Sequence, residues 1–348
     1  MNKILVVGGA GFSGAHVAMR YLKSGDEVHV ADNLSRNGSR ANLAMLQQMT
    51  DSTSGNFHFH HLDIRMRCDV GEMMARIRPD LIVHQAGQVA VTTSVVNPRL
   101  DFEVNAMGTL NLLEAFRESA PEAFFIYAST NKVYGSMHDV EVIEETKRYR
   151  YRDFPDGLCE LRKLDFHSPY ACSKGAADQY VHDYSRIYGL RTAVFRQSCI
   201  YGTHQYGVED QGWIAWFTIA RVLGKPVTIY GSGKQVRDVL WIEDLVEAYH
   251  LAWQLDKSGS IYNMGGGVQN SISLIELTEL LDELHPVSPP NRAGEMRPGD
   301  QSVYIANANL AKSELKWTPK VSPRQGIERL YAWVCENQRM IETVLNTK

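Results

Sequence analysis

Apolar and polar positions follow one another along this chain in blocks that switch between two periods. ILVV, Ile4 to Val7, is an unbroken apolar run ending in glycines, the pattern of a strand buried on both faces. From Phe12 to Lys23 the apolar residues recur at helical spacing, Gly25 closes the segment, and EVHVA begins a second strand. The order then repeats. FHFHHLD predicts a strand ending at Asp63, DLIVHQAG and AFFIYAST predict two more, and helical segments lie between them. NAMGTLNLLEAFRES predicts an amphipathic helix opened by Asn105. HSPYACSKGAADQYVHDYSR predicts another, with Ser168 as N-cap and Pro169 in the first helical position.

This alternation predicts an α/β fold: a Rossmann-type doubly wound parallel sheet, with a smaller C-terminal α/β domain. We expect the first domain over 1–195, with about 238–262 returning to it, and the second over 196–348. In the second, QGWIAWFTIARVLGKPVTIYGSG reads as helix, strand and glycine turn, and VRDVLWIEDLVEAYHLAW turns back into a helix. RQGIERLYAWVCENQRM is the last amphipathic helix. RYRYRDFPDGLCELRKLD is charged and aperiodic, as a solvated loop or a lid would be.

The turn after the first strand contains Gly8, Gly9, Gly11 and Gly14, readable as GxxGxxG or GxGxxG. A glycine serves where such a turn is tightest, another lets the backbone approach a diphosphate, and a third lets helix pack on strand. The following helix offers the diphosphate its free N–H groups, here around Phe12 and Ser13. Asp32 ends the next strand at the spacing of a carboxylate that holds the adenosine ribose, with Asn33, Ser35 and Arg36 directly after it. Such a carboxylate repels a 2′-phosphate, so the turn predicts NAD rather than NADP, although Arg36 and Arg40 would suit a phosphate. Asp63 and Ile64 are expected beside the adenine. Gln85, Ala86, Gly87 and Gln88 end a strand at the carboxyl edge, where ligands of such sheets bind.

Composition narrows the partners. The 348 residues carry a formal net charge of −4, with 44% hydrophobic and 22% charged residues. That balance gives no footprint for nucleic acid or an anionic membrane. No run approaches the ~20 apolar residues of a membrane span, and the first apolar stretch is too short for a signal peptide. The five scattered cysteines show no CxxC and read as reduced thiols of a cytoplasmic protein. In HFHH, alternation places His58 and His60 on one strand face, but no nearby carboxylate or cysteine completes a ligand set, so no metal is expected.

The chemistry sits in two stretches. YASTNKVYG puts Ser129 and Thr130 at a strand end, followed by Asn131 and Lys132. SPYACSK puts Tyr170 and Lys174 four apart on one helix face. A tyrosine of pKa about 10 is a poor base at neutral pH. An ammonium and an oxidised nicotinamide nearby both favour the phenolate. A phenolate could take a proton from a sugar hydroxyl while hydride leaves its carbon, with Thr130 sharing the proton. A dinucleotide-sensing regulator would have no use for this trio.

The glycine turn, Asp32, the Asn105 helix and Tyr170-x-x-x-Lys174 resemble the extended short-chain dehydrogenase/reductase family over nearly the whole chain. The resemblance implies a nucleotide-sugar epimerase or dehydratase in which Tyr170 is the base, Lys174 holds the nicotinamide ribose and Thr130 is the hydroxyl partner. Ser129 and Asn105 would lie along the cofactor. In the 4,6-dehydratases of the family the strand end typically reads threonine, aspartate, glutamate. Here Asn131 and Lys132 replace both acids, so the resemblance favours epimerisation. DNLSR, AGQVAVTTS, STNKVYG, DFHSPY and GSGKQVRDVL are similar to the members that act at C-2 of CDP-dideoxyhexoses, while a UDP-hexose inverted at C-4 is the alternative. The same resemblance implies tightly bound, recycled NAD and a homo-oligomer, dimer or tetramer, paired through the Asn105 and Tyr170 helices. Arg237 and Arg297 would grip the diphosphate, and Tyr230 would lie near the base. Arg237 could instead pair with Asp238 or Asp244. Gln88, Thr92, Asn131, Gln197 and Tyr201 are candidate sugar contacts.

Overall fold

The unbroken apolar runs become the central strands. The computed structural model describes residues 1–50, 52–287, 289–295 and 301–346. The strands are β1 (Lys3–Val7), β2 (Glu27–Asp32), β3 (Asn56–His61), β4 (Leu81–His84), β5 (Phe124–Thr130), β6 (Arg191–Gln197) and β7 (Ser260–Met264). They form one seven-stranded parallel sheet of order β7-β6-β5-β4-β1-β2-β3. β1 pairs in register with β2 on one side and β4 on the other, and that is where the order reverses. Between the strands run α1 (Phe12–Lys23), α2 (Ser39–Thr50), α3 (Arg67–Ile77), α4 (Gly108–Ser119) and α5 (Pro169–Tyr188). Leu5, Val7, Ile82, Phe125 and Tyr127 point from the sheet into a core shared with Val70, Met73 and Met74 of α3 and Leu112 and Phe116 of α4.

The Asn105 helix differs from expectation. A helical stretch already starts at Pro98, capped by Asn97, and Glu103–Met107 is a π turn before α4. Asn105 lies inside that turn, not at a helix start. One-turn π bulges of this kind are frequent at functional sites.

The chain divides into two compact units: Met1–Val133, Ser168–Arg196 and Val246–Tyr262 in the first, Tyr134–His167, Gln197–Leu245 and Asn263–Lys348 in the second. The return thus runs over Val246–Tyr262, and the stretch from Tyr134 to His167, which the sequence reading kept in the first domain, belongs with the second unit. The charged stretch within it is not a free lid. Tyr149–Tyr151 pairs antiparallel with Val142–Glu144, Arg148 donates to Glu276 at 2.6 and 2.8 Å, and the Leu158 amide donates to the Ile305 carbonyl at 2.9 Å.

The second unit centres on Val236–Trp241, flanked by Ser271–Ser273, Val303–Tyr304 and Cys199–Tyr201. Helices Leu274–Leu284 and Pro323–Glu336 both start with capping boxes, Ser273 with Glu276 and Ser322 with Gln325. The buried Asp238 accepts from the Ser198 hydroxyl and from the Gly267 and Ala306 amides, and burial pushes its carboxyl up to about 6.

Candidate active site

At the β1–α1 turn the glycines are required by space. Gly8 has φ +78°, and a Cβ there would lie 2.4 Å from the Ala86 amide nitrogen. A Cβ on Gly14 would lie 2.2 Å from the Gly8 carbonyl oxygen. Gly11 is the N-cap of α1 and offers the first turn no side-chain partner. The turn therefore presents α1's amino terminus bare at the point where the strand order reverses, a cradle that suits a dinucleotide diphosphate. Asp32 closes it. Its carboxylate accepts from the amides of Ala10 at 3.1 Å and Leu34 at 2.8 Å, and burial raises its pKa against those bonds. Asp63 is held at about 2 by a bidentate Arg65 and also accepts from Asn33. Ile64 is buried against Gly108. Ser35 and Arg36 follow on the exposed loop.

At the carboxyl end of β4 the structure redistributes roles. Asn105 clasps the Gln88 backbone, accepting from its amide and donating to its carbonyl, both at 2.9 Å. It is a positioning residue for the Gln85–Gln88 loop rather than a group turned to a ligand. The Gln88 side chain folds back on Ala90 and donates to Asp101 at 2.8 Å, and Gln85 donates to the Tyr249 hydroxyl at 2.9 Å. A substrate role for the Gln88 side chain is therefore not what the loop presents. A Cβ on Gly87 would meet Asn105 Oδ1 at 3.1 Å and Lys174 Nζ at 3.9 Å. Thr92 sits in the exposed first turn of the short helix Val91–Val96.

The opening of α5 meets the end of β5. Ser168 caps α5, accepting from the Ala171 amide at 3.2 Å, and its φ of +105° bends the chain sharply into Pro169. Tyr170 hydrogen-bonds Thr130, as the two motifs predict. Burial pushes the Tyr170 phenol up to about 12, and the Thr130 bond and the Arg36 charge work against it while Asp101 adds to it. Lys174 is not among the groups that lower it. Its ammonium donates to the Ala128 carbonyl at 2.6 Å and lies 4.2 Å from the Tyr127 ring centroid. Burial brings Lys174 down to about 7, opposed by Asp178 and Asp101. This corrects the expectation that Lys174 lowers Tyr170 directly: both groups are desolvated together. Asn131 is buried in the 3-10 turn that follows Thr130.

The Ser129 hydroxyl donates to Asp178 Oδ2 at 2.6 Å, beside a buried ion pair of Asp178 with Arg196, so its side chain braces α5. Sequence reasoning passed over Asp178, Arg196, Asp101 and Ser173. The signal available was the presence of polar residues on the inner face of an otherwise apolar helix.

In the second unit, Tyr201 packs its ring on Trp241, and its hydroxyl fills the space a Cβ on Gly326 would need. It is a core residue, which argues against sugar contact. Arg237 donates to the carbonyls of Val236 and Gln301 at 2.8 and 2.7 Å. The carboxylate of Asp244 is taken by the amides of Lys320 and Val321. Tyr230, half-buried, donates to Glu209 at 2.9 Å. Gln197 ends β6, half-buried. Arg297 lies outside the described residues. Among the described residues no helix is long and apolar enough to cross a membrane.

A glycine cradle, a carboxylate at the end of the second strand and a Tyr-x-x-x-Lys helix beside a strand-end threonine define a short-chain dehydrogenase/reductase site. Residues 5–330 match the family model described as GDP-mannose 4,6 dehydratase, and the chain belongs to the extended family of NAD-dependent nucleotide-sugar epimerases and dehydratases. Its sequence is 45% identical to CDP-paratose 2-epimerase of Salmonella typhi over 338 residues, 95% of this chain and 98% of that one. Its fold matches the solved UDP-glucose 4-epimerase of Thermotoga maritima with a TM-score of 0.81 at 29% identity, covering 97% of this chain and 99% of that one. A dTDP-glucose 4,6-dehydratase of Streptomyces venezuelae, solved with NAD bound, matches with a TM-score of 0.82 at 29% identity, covering 98% and 99%.

Proposed function

We propose that this protein is an NAD-dependent nucleotide-sugar epimerase that inverts C-2 of CDP-paratose to give CDP-tyvelose. The observation that carries the reading is the composition of the β5 end. Thr130 and Tyr170 share a hydrogen bond, and a buried amide, Asn131, follows Thr130 where elimination of water would call for an acid. The similarity to a CDP-paratose 2-epimerase supports the choice of sugar and carbon.

Bound NAD supplies the acceptor that takes a hydride from the sugar carbon and later returns it. Gly8, Gly11, Phe12, Ser13 and Gly14 would hold its diphosphate and Asp32 its adenosine ribose. Tyr170 takes the C-2 hydroxyl proton as the C–H bond is lost, leaving a 2-keto sugar, and gives the proton back when hydride returns to the other face. The two epimers have the same oxidation level, so the cycle would leave NAD as it began and need no second reductant. Lys174, one turn along α5, would hold the nicotinamide ribose, while the Thr130 bond and the Arg36 charge draw the Tyr170 phenol down against the burial that raises it. Arg237 and Arg297 would meet the substrate diphosphate through guanidinium forks, with Tyr230 near the base. Exposed Phe102 and Met107 before α4, and Tyr180, Ile187 and Tyr188 on α5, would pair subunits, and a monomer in sedimentation equilibrium would refute that.

Proton NMR of CDP-paratose with purified protein and no added cofactor tests the proposal. Inversion at C-2 is expected. An unchanged spectrum, with NAD found in the denatured protein, would overturn the CDP-paratose assignment and move the substrate to UDP-hexoses.

A further inference from the structure

Three histidines unused by the chemistry above share a face with a carboxylate near the amino ends of β2 and β3. Parallel register sets His29 opposite His58, and Ala31 opposite His60. Alternation then puts Glu27, His29, His58 and His60 on one face of the sheet. The His29 and His58 rings stack at 4.6 Å, and those of His29 and His60 at 5.2 Å. His29 Nε2 is 2.9 Å from Glu27 Oε1, and His58 Nε2 is 3.9 Å from the same oxygen. One ligand atom from each of Glu27, His29 and His58 lies within 4.8 Å of the others. The carboxylate that HFHH lacks in sequence is brought by the neighbouring strand.

We propose that Glu27, His29 and His58 form a site for one divalent cation of the zinc class. Two imidazole nitrogens and one carboxylate oxygen suit zinc, with a fourth position left for water. Around a tetrahedral ion with bonds of about 2.0–2.1 Å, neighbouring ligand atoms stand about 3.3 Å apart. The observed separations of 2.9 and 3.9 Å straddle that value, and because the nearly parallel His29 and His58 rings cannot both aim a nitrogen at one ion, binding turns the half-exposed His58 ring out of the stack. His29 is buried and fixed, while His58 is half exposed and gives access from solvent. Asp32 lies three residues beyond His29, about 10 Å along β2, and alternation turns it to the opposite face of the sheet, so the cluster is separate from the dinucleotide turn.

The hydrogen bonds around His29 supply a second, sharper expectation. Arg76 donates to His60 Nδ1 at 3.3 Å, and His60 Nε2 lies 2.9 Å from His29 Nδ1. In that chain His60 donates to His29, and His29 donates to Glu27. An ion on His29 Nε2 displaces its proton and reverses the chain, so that His29 Nδ1–H donates to His60, the usual outer partner arrangement of a metal-bound imidazole. Arg76 then no longer has an acceptor on His60. Arg76 therefore competes with the ion.

The test is zinc titration of tag-free, chelator-stripped protein against a chromophoric chelator near neutral pH. One equivalent is expected, about tenfold or more weaker in His58→Ala and His58→Gln, and tighter in Arg76→Ala. X-ray absorption of the zinc-loaded protein should show nitrogen and oxygen ligands without sulfur. Unchanged affinity in both His58 variants, sulfur ligation from the exposed Cys68, Cys159 or Cys172, or no uptake at all would each overturn the proposal. The dichroism spectrum of His58→Gln separates loss of a ligand from loss of the fold.

Discussion

Two carboxyl groups are fully buried against α5, and they are met in different ways. Asp178 is neutralised: Arg196 approaches it with two nitrogens at 2.9 and 3.0 Å, and Ser129 adds a hydroxyl at 2.6 Å. Asp101 has only neutral donors, Ser173 at 2.5 Å, Gln88 at 2.8 Å and Asn105 at 3.1 Å. Its charge is felt at Lys174 and Tyr170, where it raises both. A buried ion pair locks a helix in place at little net charge. A buried carboxylate without a counter-ion is costly and is kept where its field serves a titrating group. Asp178, midway along α5, thus fixes the helix and also raises Lys174, whereas of the two carboxylates Asp101 is the one that acts on Tyr170.

That contrast presumes the Tyr170–Lys174 couple does the chemistry, and the largest expected effect tests this. Tyr170→Phe should cost about 10³-fold or more in kcat, within the range of a lost general acid–base group, while NAD still copurifies. Near-normal turnover would leave nothing for Asp101 to tune. Asp178→Asn comes next. It strands the Arg196 guanidinium, 3% exposed, without its anion and should destabilise the fold by about 3–5 kcal/mol in denaturant unfolding. A loss below about 1 kcal/mol, as for an exposed pair, would break the mechanical half of the comparison.

Asp101→Asn should behave differently. An amide can still accept from Gln88 and Asn105, and the Ser173 hydroxyl can turn to accept from it, so stability falls by about 1 kcal/mol. The change should appear in the pH profile. Asp101 raises Tyr170, so removing its charge lets the phenol lose its proton more readily, and the acid limb of kcat moves to lower pH. A limb that stays in place or moves up would reduce Asp101 to a packing residue.

How much of this was legible in sequence depends on the reach of each interaction. The glycine turn, the Ser168–Pro169 cap and the Tyr170–Lys174 spacing are local, and the pattern located them. The parallel sheet follows from alternation as well, though the order of its strands does not. Asn105 was misread because its partners Gln88 and Ser173 lie 17 and 68 residues away, and no periodicity shows which amide faces a loop. Tyr201 was misread because what packs on it includes Gly326, far along the chain. Glu27 joined the histidines only through strand register, which alternation alone does not set.

The smallest expected effect on turnover bears most directly on the comparison, because it concerns the residue on which the two readings disagree. By its place in STNKVYG, Ser129 would face the cofactor; in the fold it is the neutral third partner of the Asp178–Arg196 pair. Ser129→Ala removes one hydrogen bond to an acceptor that Arg196 still satisfies with two. Unfolding should therefore lose about 1.5–3 kcal/mol, the range for a bond to a charged group. Turnover and NAD content per folded molecule should not change, since Thr130 keeps its bond to Tyr170. The opposite pattern, unchanged stability with lost NAD or lost turnover, would return Ser129 to the cofactor. It would also mean that α5 is held for its chemistry at Asp178 as well as at its opening turn.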